Sequence, residues 1–91
     1  MIIYKYPIKL TEFQKVPLPV NAEILTVQVQ DRNLCLWAQF DERNITIEER
    51  SIEICGTGQP MSNTTNREYI GTVQEGGVFV WHVFERTSSA Q

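Results

Sequence analysis

The sequence predicts a small all-β or β-rich α+β protein, with about six to seven strands in an antiparallel sheet, sandwich or barrel-like arrangement. Short runs rich in β-branched and aromatic residues are each bounded by Pro, Gly, Asn or Asp. Most runs alternate with the two-residue period of a strand, and helix signals are nearly absent. The 91 residues are 42% hydrophobic and 21% charged. We expect one domain over residues 1–86 and a flexible polar tail at 87–91.

The N-terminal strands are predicted to lie at the edge of a sheet. Residues 2–10 have the composition of a strand, but Pro7 removes a ladder donor and therefore suits an edge position. Residues 13–18 extend this strand after a turn, until Pro17 and Pro19 close the segment.

The clearest predicted hairpin joins residues 23–30 to residues 34–40 through a short polar link. Strand alternation in the pair predicts one inward face and one semi-polar face. The inward residues are Leu25, Val27, Val29, Leu34, Leu36, Ala38 and Phe40. The semi-polar face carries Thr26, Gln28, Gln30, Cys35, Trp37 and Gln39. A surface of this kind, with one large aromatic residue, is typical of a binding or subunit-contact surface.

The second half is predicted to contain a charged loop, a short strand ended by a glycine-containing turn, a polar loop and a second hairpin. Their ranges are, in order, 41–50, 51–55, 56–60, 61–67 and, for the two strands of the hairpin, 69–74 and 78–85. Gly76 and Gly77 occupy the hairpin turn, where glycine frees the backbone to reverse direction.

The last predicted strand is apolar on both faces. One face carries Phe79, Trp81 and Val83, and the other carries Val78, Val80, His82 and Phe84. A strand of this kind is expected to be central and covered on both sides. A second copy of the chain is the favoured cover, so we expect a homo-oligomer. The alternative is a sandwich or barrel that buries both faces within one chain.

Charge and cysteine content narrow the class of partner. The net charge is −3 and the eight Lys and Arg are scattered, so we expect no nucleic-acid polymer as partner. A small anionic ligand is compatible with this charge, since a few placed cations suffice. The chain has two cysteines, Cys35 and Cys55, and small secreted domains stabilised by disulfides usually have more. With no secretory n-region and no membrane-length apolar run, we predict a cytoplasmic protein without a membrane partner.

Catalytic and metal-binding patterns are weak. His82 is the only histidine, and its place between Trp81 and Val83 is more typical of a packed, hydrogen-bonded residue than of a base. A metal site would combine Cys35, Cys55 and His82 at spacings that match no zinc pattern. We therefore expect no enzyme, no metal and no cofactor.

Two features favour a binding protein. Gly56, Thr57 and Gly58 have the composition of a small nest of backbone N–H groups for a phosphate, with a plain turn as the alternative. The aromatic side chains on which a base could stack are Trp37, Tyr69, Trp81 and Phe84.

Five elements covering nearly the whole chain, at 24–30, 34–38, 56–60, 69–74 and 79–84, contain two Gly-Thr pairs, Val-Gln pairs and a terminal Trp-His-x-Phe. This pattern resembles a family of small uncharacterised proteins from bacteriophages and bacteria. Small phage proteins include inhibitors of host immunity, and one type is an oligomeric sponge that sequesters a nucleotide signal between subunits.

The resemblance implies, as the leading hypothesis, a non-catalytic anti-defence sponge in the host cytoplasm that binds a nucleotide-derived immune signal. The ligand-binding residues expected are Trp37, Gly56, Thr57, Gly58, Arg67, Tyr69, His82 and Phe84. The alternative is a protein-binding inhibitor of a host defence protein, or a phage accessory protein, acting through the semi-polar Trp37 face. An enzyme using His82 as its base comes third.

Overall fold

The structure is a computed structural model that describes residues 1–63 and 66–87. Within these residues there are seven strands and no helix, which confirms the all-β class. The strands are β1 (Ile2–Pro7), β2 (Phe13–Pro19), β3 (Glu23–Gln30), β4 (Asn33–Phe40), β5 (Ile47–Gly56), β6 (Arg67–Glu75) and β7 (Phe79–Arg86). They form two antiparallel sheets, of order β1-β4-β3 and β2-β5-β7-β6. The described residues include no helix that could cross a membrane.

One hydrophobic core is shared by the two sheets. Leu36 of the three-stranded sheet and Leu18, Ile52 and Val83 of the four-stranded sheet are fully buried in a single cluster. The cluster also includes the other three residues that β4 was predicted to direct inward, Leu34, Ala38 and Phe40. The two sheets therefore depend on each other for burial, as expected for a domain with one core.

The first predicted hairpin is confirmed. Strands β3 and β4 are joined by a two-residue turn at Asp31 and Arg32, whose φ angles are 51° and 68°. Positive φ at both central residues gives the turn whose twist matches that of paired strands. The edge position of Pro7 is also confirmed, because β1 has a neighbour on only one side.

Strand β3 differs from its predicted alternation at Leu25. A β-bulge between Ile24 and Thr26 places Ile24 opposite Ala38, and Ile24 packs against the core in place of Leu25. Leu25 is 39% exposed, so the prediction that it faces inward is wrong. A bulge inserts one residue into one strand of a pair and thereby reverses the face of the residues before it.

The predicted charged loop at 41–50 is wrong at its C-terminal end, because β5 already begins at Ile47. Strand β2, which was expected to extend β1, lies in the other sheet and pairs with β5 from Pro19 to Phe13. The charged Arg50 fits inside this strand because its guanidinium donates to Glu85 and to the carbonyl of Ala22. The hydrogen bond to Glu85 raises the pKa of Arg50 above its usual value.

The central position predicted for the last strand is confirmed, since β7 lies between β5 and β6. On its inner face Val83 is fully buried and Trp81 packs against the core. On its outer face His82 and Phe84 are half-buried. The strand begins one residue later than predicted, because Val78 belongs to the hairpin turn and is exposed. Cover of the outer face by a second subunit stays a prediction.

Two predicted irregular segments are described only in part. In the predicted loop 61–67, residues 64 and 65 lie outside the described residues, and Arg67 begins β6. Of the predicted tail at 87–91, only Thr87 is described, and its backbone N–H donates to the carbonyl of Asn66 at 3.0 Å.

At Gly71 the two sheets lie close together. A Cβ at this position would lie 2.9 Å from Cγ1 of Val27, a stiff β-branched side chain. We expect Gly71→Ala to lower the free energy of unfolding by about 1–3 kcal/mol, because the core must shift to admit the methyl group. Urea denaturation checks this. Val27→Ala in the same chain is expected to relieve the clash, so additive losses in the double variant would contradict the close contact.

Candidate functional site

Seven of the eight predicted ligand-binding residues lie in the four-stranded sheet or in the turn that follows β5. In β7, His82 is paired with Thr72 of β6 and Phe84 with Tyr69 of β6. Paired residues in a sheet project to the same side, so these side chains share the face opposite Val83. We call this surface the His82 face. Its members are Thr57, Arg67, Tyr69, Thr72, His82 and Phe84.

A bulge in β6 makes the His82 face continuous. Tyr69 and Thr72 are three residues apart, a spacing that in a regular strand places side chains on opposite faces. The register shift between Tyr69 and Gly71 brings both onto the side of His82. Thr72 was not among the predicted residues. The sequence does carry a signal for it, because a glycine inside a strand, here Gly71, often marks a bulge.

A chain of hydrogen bonds crosses the His82 face. The hydroxyls of Tyr69 and Thr72 are hydrogen-bonded to each other. Thr72 Oγ1 lies 3.0 Å from His82 Nδ1, and Thr57 Oγ1 lies 2.7 Å from His82 Nε2. Both ring nitrogens are therefore engaged, as predicted for a packed, hydrogen-bonded histidine.

The ends of this chain have a defined chemistry. A neutral imidazole donates from one ring nitrogen and accepts at the other. When Nε2 carries the proton, it donates to Thr57, and the hydroxyl of Thr57 is free to donate to a ligand. When Nδ1 carries the proton, it donates to Thr72, Thr72 donates to Tyr69, and the hydroxyl of Tyr69 is free to donate to a ligand. Protonation of His82 turns both hydroxyls into outward donors. The His82 face can therefore hydrogen-bond a polar ligand at either end and favours an anion when His82 is charged.

A buried ion pair supports the aromatic part of the face. Glu53 of β5 is only 4% exposed, and its carboxylate accepts from Arg67 Nε at 2.9 Å and Nη2 at 3.4 Å. The nearest guanidinium nitrogen of Arg86, Nε, lies 3.7 Å from the same carboxylate. The Arg67 guanidinium also lies 5.9 Å from the ring centroid of Phe84, which packs edge-on against Tyr69. The charge of Arg67, one of the predicted ligand-binding residues, is thus largely neutralised by Glu53.

Sequence reasoning missed Glu53. Its position between Ile52 and Ile54, in a strand that reads as apolar, was the available signal. Glutamate side chains are almost never fully buried unless they are paired. A glutamate within an apolar strand therefore predicts a cationic partner nearby.

The turn after β5 offers fewer donors than a phosphate nest needs. The N–H of Gly56 donates to the side-chain oxygen of Gln59 at 2.8 Å, and the N–H of Thr57 donates to the carbonyl of Val80 at 3.3 Å. Gly58 has a φ of 88°, which favours glycine in this turn. Two of the three N–H groups of the predicted nest are therefore engaged within the chain. The turn contributes the Thr57 hydroxyl to the His82 face.

Trp37 lies apart from the other predicted residues. It is half-buried in β4, on the outer face of the three-stranded sheet, and is paired with Lys5 and Thr26. On this face Lys5 Nζ donates to Gln30 Oε1 at 2.7 Å. The semi-polar Trp37 face predicted from the sequence is thus a separate surface from the His82 face.

Comparisons with known proteins give a family and no further relatives. Residues 1–91 match a family described as a domain of unknown function, DUF7352. No curated protein and no solved structure matches the chain. Across residues 1–63 and 66–87, no cluster of three or more His, Cys, Asp or Glu side chains is arranged to hold a metal ion.

Proposed function

The chain belongs to the DUF7352 family, and we propose that it is a non-catalytic binding protein that sequesters a small anionic, nucleotide-like ligand on the His82 face. In this proposal the ligand is a nucleotide-derived immune signal and the protein is a phage-type anti-defence sponge that acts in the host cytoplasm. The resemblance described above supplies the biological setting, and the His82 face supplies the chemistry.

The observation that carries the proposal is the placement of hydrogen-bonding groups beside exposed aromatic rings. Tyr69 is 62% exposed, and its ring centroid lies 5.6 Å from that of Phe84. A base stacked on such a ring gains about 1–3 kcal/mol. Whichever of the Tyr69 and Thr57 hydroxyls is the outward donor of the hydrogen-bond chain can then donate to a phosphate or base-edge oxygen, and both can do so when His82 is protonated.

The shape of the face favours binding between two subunits. Ligand sites are usually concave and bury most of the ligand, whereas an open sheet surface provides a single wall. A second copy of the chain, related by a two-fold axis, would bring its own Tyr69 and Phe84 against the opposite side of the ligand. The proposed protein is therefore a homo-oligomer that holds its ligand at a subunit contact.

The test is a thermal-shift assay with cyclic di-AMP, cyclic di-GMP and ADP-ribose as probes. At about 100 times its Kd, a true ligand is expected to raise Tm by about 10 °C or more. Mass spectrometry after heating should recover the ligand intact. An altered product would indicate an enzyme using His82, and no shift with any probe, together with no small molecule released after expression in signal-producing cells, would contradict the proposal.

Tyr69→Phe is the variant that tests the site. It removes one hydroxyl from the end of the hydrogen-bond chain and keeps the exposed ring, so it is expected to weaken binding about five- to tenfold. Isothermal titration calorimetry measures the change. Trp37→Phe on the other sheet is the matched control and should leave Kd unchanged. Equal losses from both variants would place the ligand elsewhere.

The second candidate function is a protein-binding inhibitor or phage accessory protein that acts through the Trp37 face. It is favoured by Ile3, which is 51% exposed and lies on the same outer face as Trp37. The buried cores of protein interfaces are more apolar than the rest of the protein surface and are enriched in aromatic residues. In this case Trp37→Ala should abolish capture of a host protein, whereas Tyr69→Phe should not.

A further inference from the structure

The outer strands of the two sheets differ in how they are protected against pairing with another chain. These strands are β1 and β3 in the three-stranded sheet and β2 and β6 in the four-stranded sheet. β3 packs against β6, where a Cβ at Gly71 would lie 3.9 Å from the backbone N and O atoms of Val27. Each of these two strands also contains a β-bulge, which hinders further pairing. β1 and β2 are therefore the edges to compare.

The edge of β2 is blocked by proline. The N–H of Ile54 donates to the carbonyl of Glu12 at 3.0 Å and continues the register of β2 with β5. Hydrogen-bonded pairs alternate along an antiparallel ladder, so the even-numbered residues of β2 bond to β5 and the odd-numbered ones face outward. Pro17 and Pro19 are both at outward positions and have no N–H to offer. This edge cannot form a continuous ladder with a further strand.

The edge of β1 has neither a bulge nor a proline before Pro7. The N–H of Ile8 donates to the carbonyl of Leu34 at 2.9 Å and continues the register of β1 with β4. By the same alternation, Ile3 and Lys5 direct their N–H and C=O groups away from β4. Across residues 1–63 and 66–87, no second strand pairs with β1. These backbone groups are thus available to a strand of another chain.

The one charged side chain of β1 is turned away from this edge. A lysine on an edge strand usually opposes pairing, because its charge must stay in water. The ammonium of Lys5, however, donates to Gln30 Oε1 at 2.7 Å, and Gln30 belongs to β3, on the far side of β4. The charge is therefore held over the sheet. The side chains left beside the edge include those of Ile3 and Tyr4, which are 51% and 52% exposed.

We propose that β1 binds β1 of a second copy of the chain, antiparallel across a two-fold axis at Tyr4, so that the two three-stranded sheets become one. In this register Ile3 of each copy forms a hydrogen-bonded pair with Lys5 of the other, and every outward N–H of these residues has an acceptor. An axis at Lys5 would instead oppose two lysines and place Pro7, without an N–H, opposite Ile3. The self-complementary register is the reason to assign this edge to a second copy.

The contact is separate from the proposed ligand site. It lies in the three-stranded sheet, whereas the His82 face belongs to the four-stranded sheet. The two-fold axis is perpendicular to the joined sheet, so the Trp37 faces of the two copies lie side by side on the same surface. The proposal therefore does not depend on the ligand proposed for the His82 face.

Sedimentation velocity of the full chain over a range of concentrations tests the proposal. We expect reversible self-association with a Kd of about 1–100 µM, in the range of a small, transient contact. Lys5→Pro removes an N–H that β4 does not use, so circular dichroism should show a folded chain, while this Kd rises about 100-fold or more. Lys15→Pro, the same change at an outward position of β2, is the matched control and should leave Kd unchanged. No self-association, or self-association that Lys5→Pro leaves unchanged, would overturn the proposal.

Amide hydrogen exchange tests the same contact without a substitution, and so decides the matter even if Lys5→Pro is unstable. Protection of the Ile3 and Lys5 N–H groups should rise about tenfold or more from dilute to concentrated samples, because these groups are bonded only in the dimer. The outward N–H groups of Phe13 and Lys15 on β2 are the internal control and should exchange equally fast in both samples. Protection of Ile3 and Lys5 that does not change with concentration would overturn the proposal.

Discussion

Glu53→Ala is expected to lower the free energy of unfolding by about 3–5 kcal/mol, because it leaves a buried guanidinium without its counter-ion. The side chain of Arg67 is only 16% exposed, and its Nε and Nη2 atoms both donate to Glu53. Without the carboxylate, this charge must be re-solvated at the cost of its packing on Phe84. Urea denaturation monitored by tryptophan fluorescence measures the loss.

Three further variants isolate the ion pair as the cause. Glu49→Ala is the matched control, since Glu49 lies on the same face of β5 but is exposed, and its effect should stay within about 0.5 kcal/mol. Glu53→Gln keeps an acceptor for Arg67 and should cost less than Glu53→Ala. Replacing Glu53 and Arg67 together by Met should recover much of the loss. A loss below about 1 kcal/mol in Glu53→Ala would show that Arg67 finds another partner.

Stability and the proposed binding are coupled through this pair. Phe84 is contacted on one side by Arg67 and on another by Tyr69. When Glu53 is lost, the position of the aromatic surface is lost with it, so ligand affinity on the His82 face should fall even where the fold persists. Glu53 is thus a positioning residue for the proposed site, and Tyr69→Phe remains the cleaner test of binding itself.

The strands could be predicted from local pattern, but their partners could not. The bounds of β3 and β4 follow from alternation and turn residues, and the two-residue hairpin between them is a local feature. The pairing of β2 with β5 joins residues far apart in sequence. This pairing makes the start of β5 a strand, although its charged residues predict a loop. Local strand propensity does not predict such pairing, because it depends on contacts with neighbouring strands that are distant in the sequence.

The same limit applies to the candidate site. Alternation along β7 is sufficient to place His82 and Phe84 on one face. Their contacts with Thr72 and Glu53 depend on the register of β6 and β5, and the β6 register contains a bulge. A register shift of one residue moves every side chain beyond it to the opposite face of the sheet. The two-residue alternation of a strand is therefore not sufficient to predict which residues of a bulged strand share the site's face.

Leu36→Ala is expected to lower the free energy of unfolding by about 2–5 kcal/mol. Leu36 is fully buried on the central strand of the three-stranded sheet, where it is paired with Tyr6 and Val27, so its truncation leaves a cavity in the shared core. Thermal and urea unfolding measure the loss.

Leu25→Ala is the matched control, because it is also a leucine-to-alanine change. Sequence alternation predicts that Leu25, like Leu36, faces the core. The bulge turns this residue outward, so its truncation should cost less than about 1 kcal/mol. The difference between the two leucines therefore measures the bulge itself. If Leu25→Ala costs as much as Leu36→Ala, β3 is regular in solution, and Ile24 rather than Leu25 faces outward.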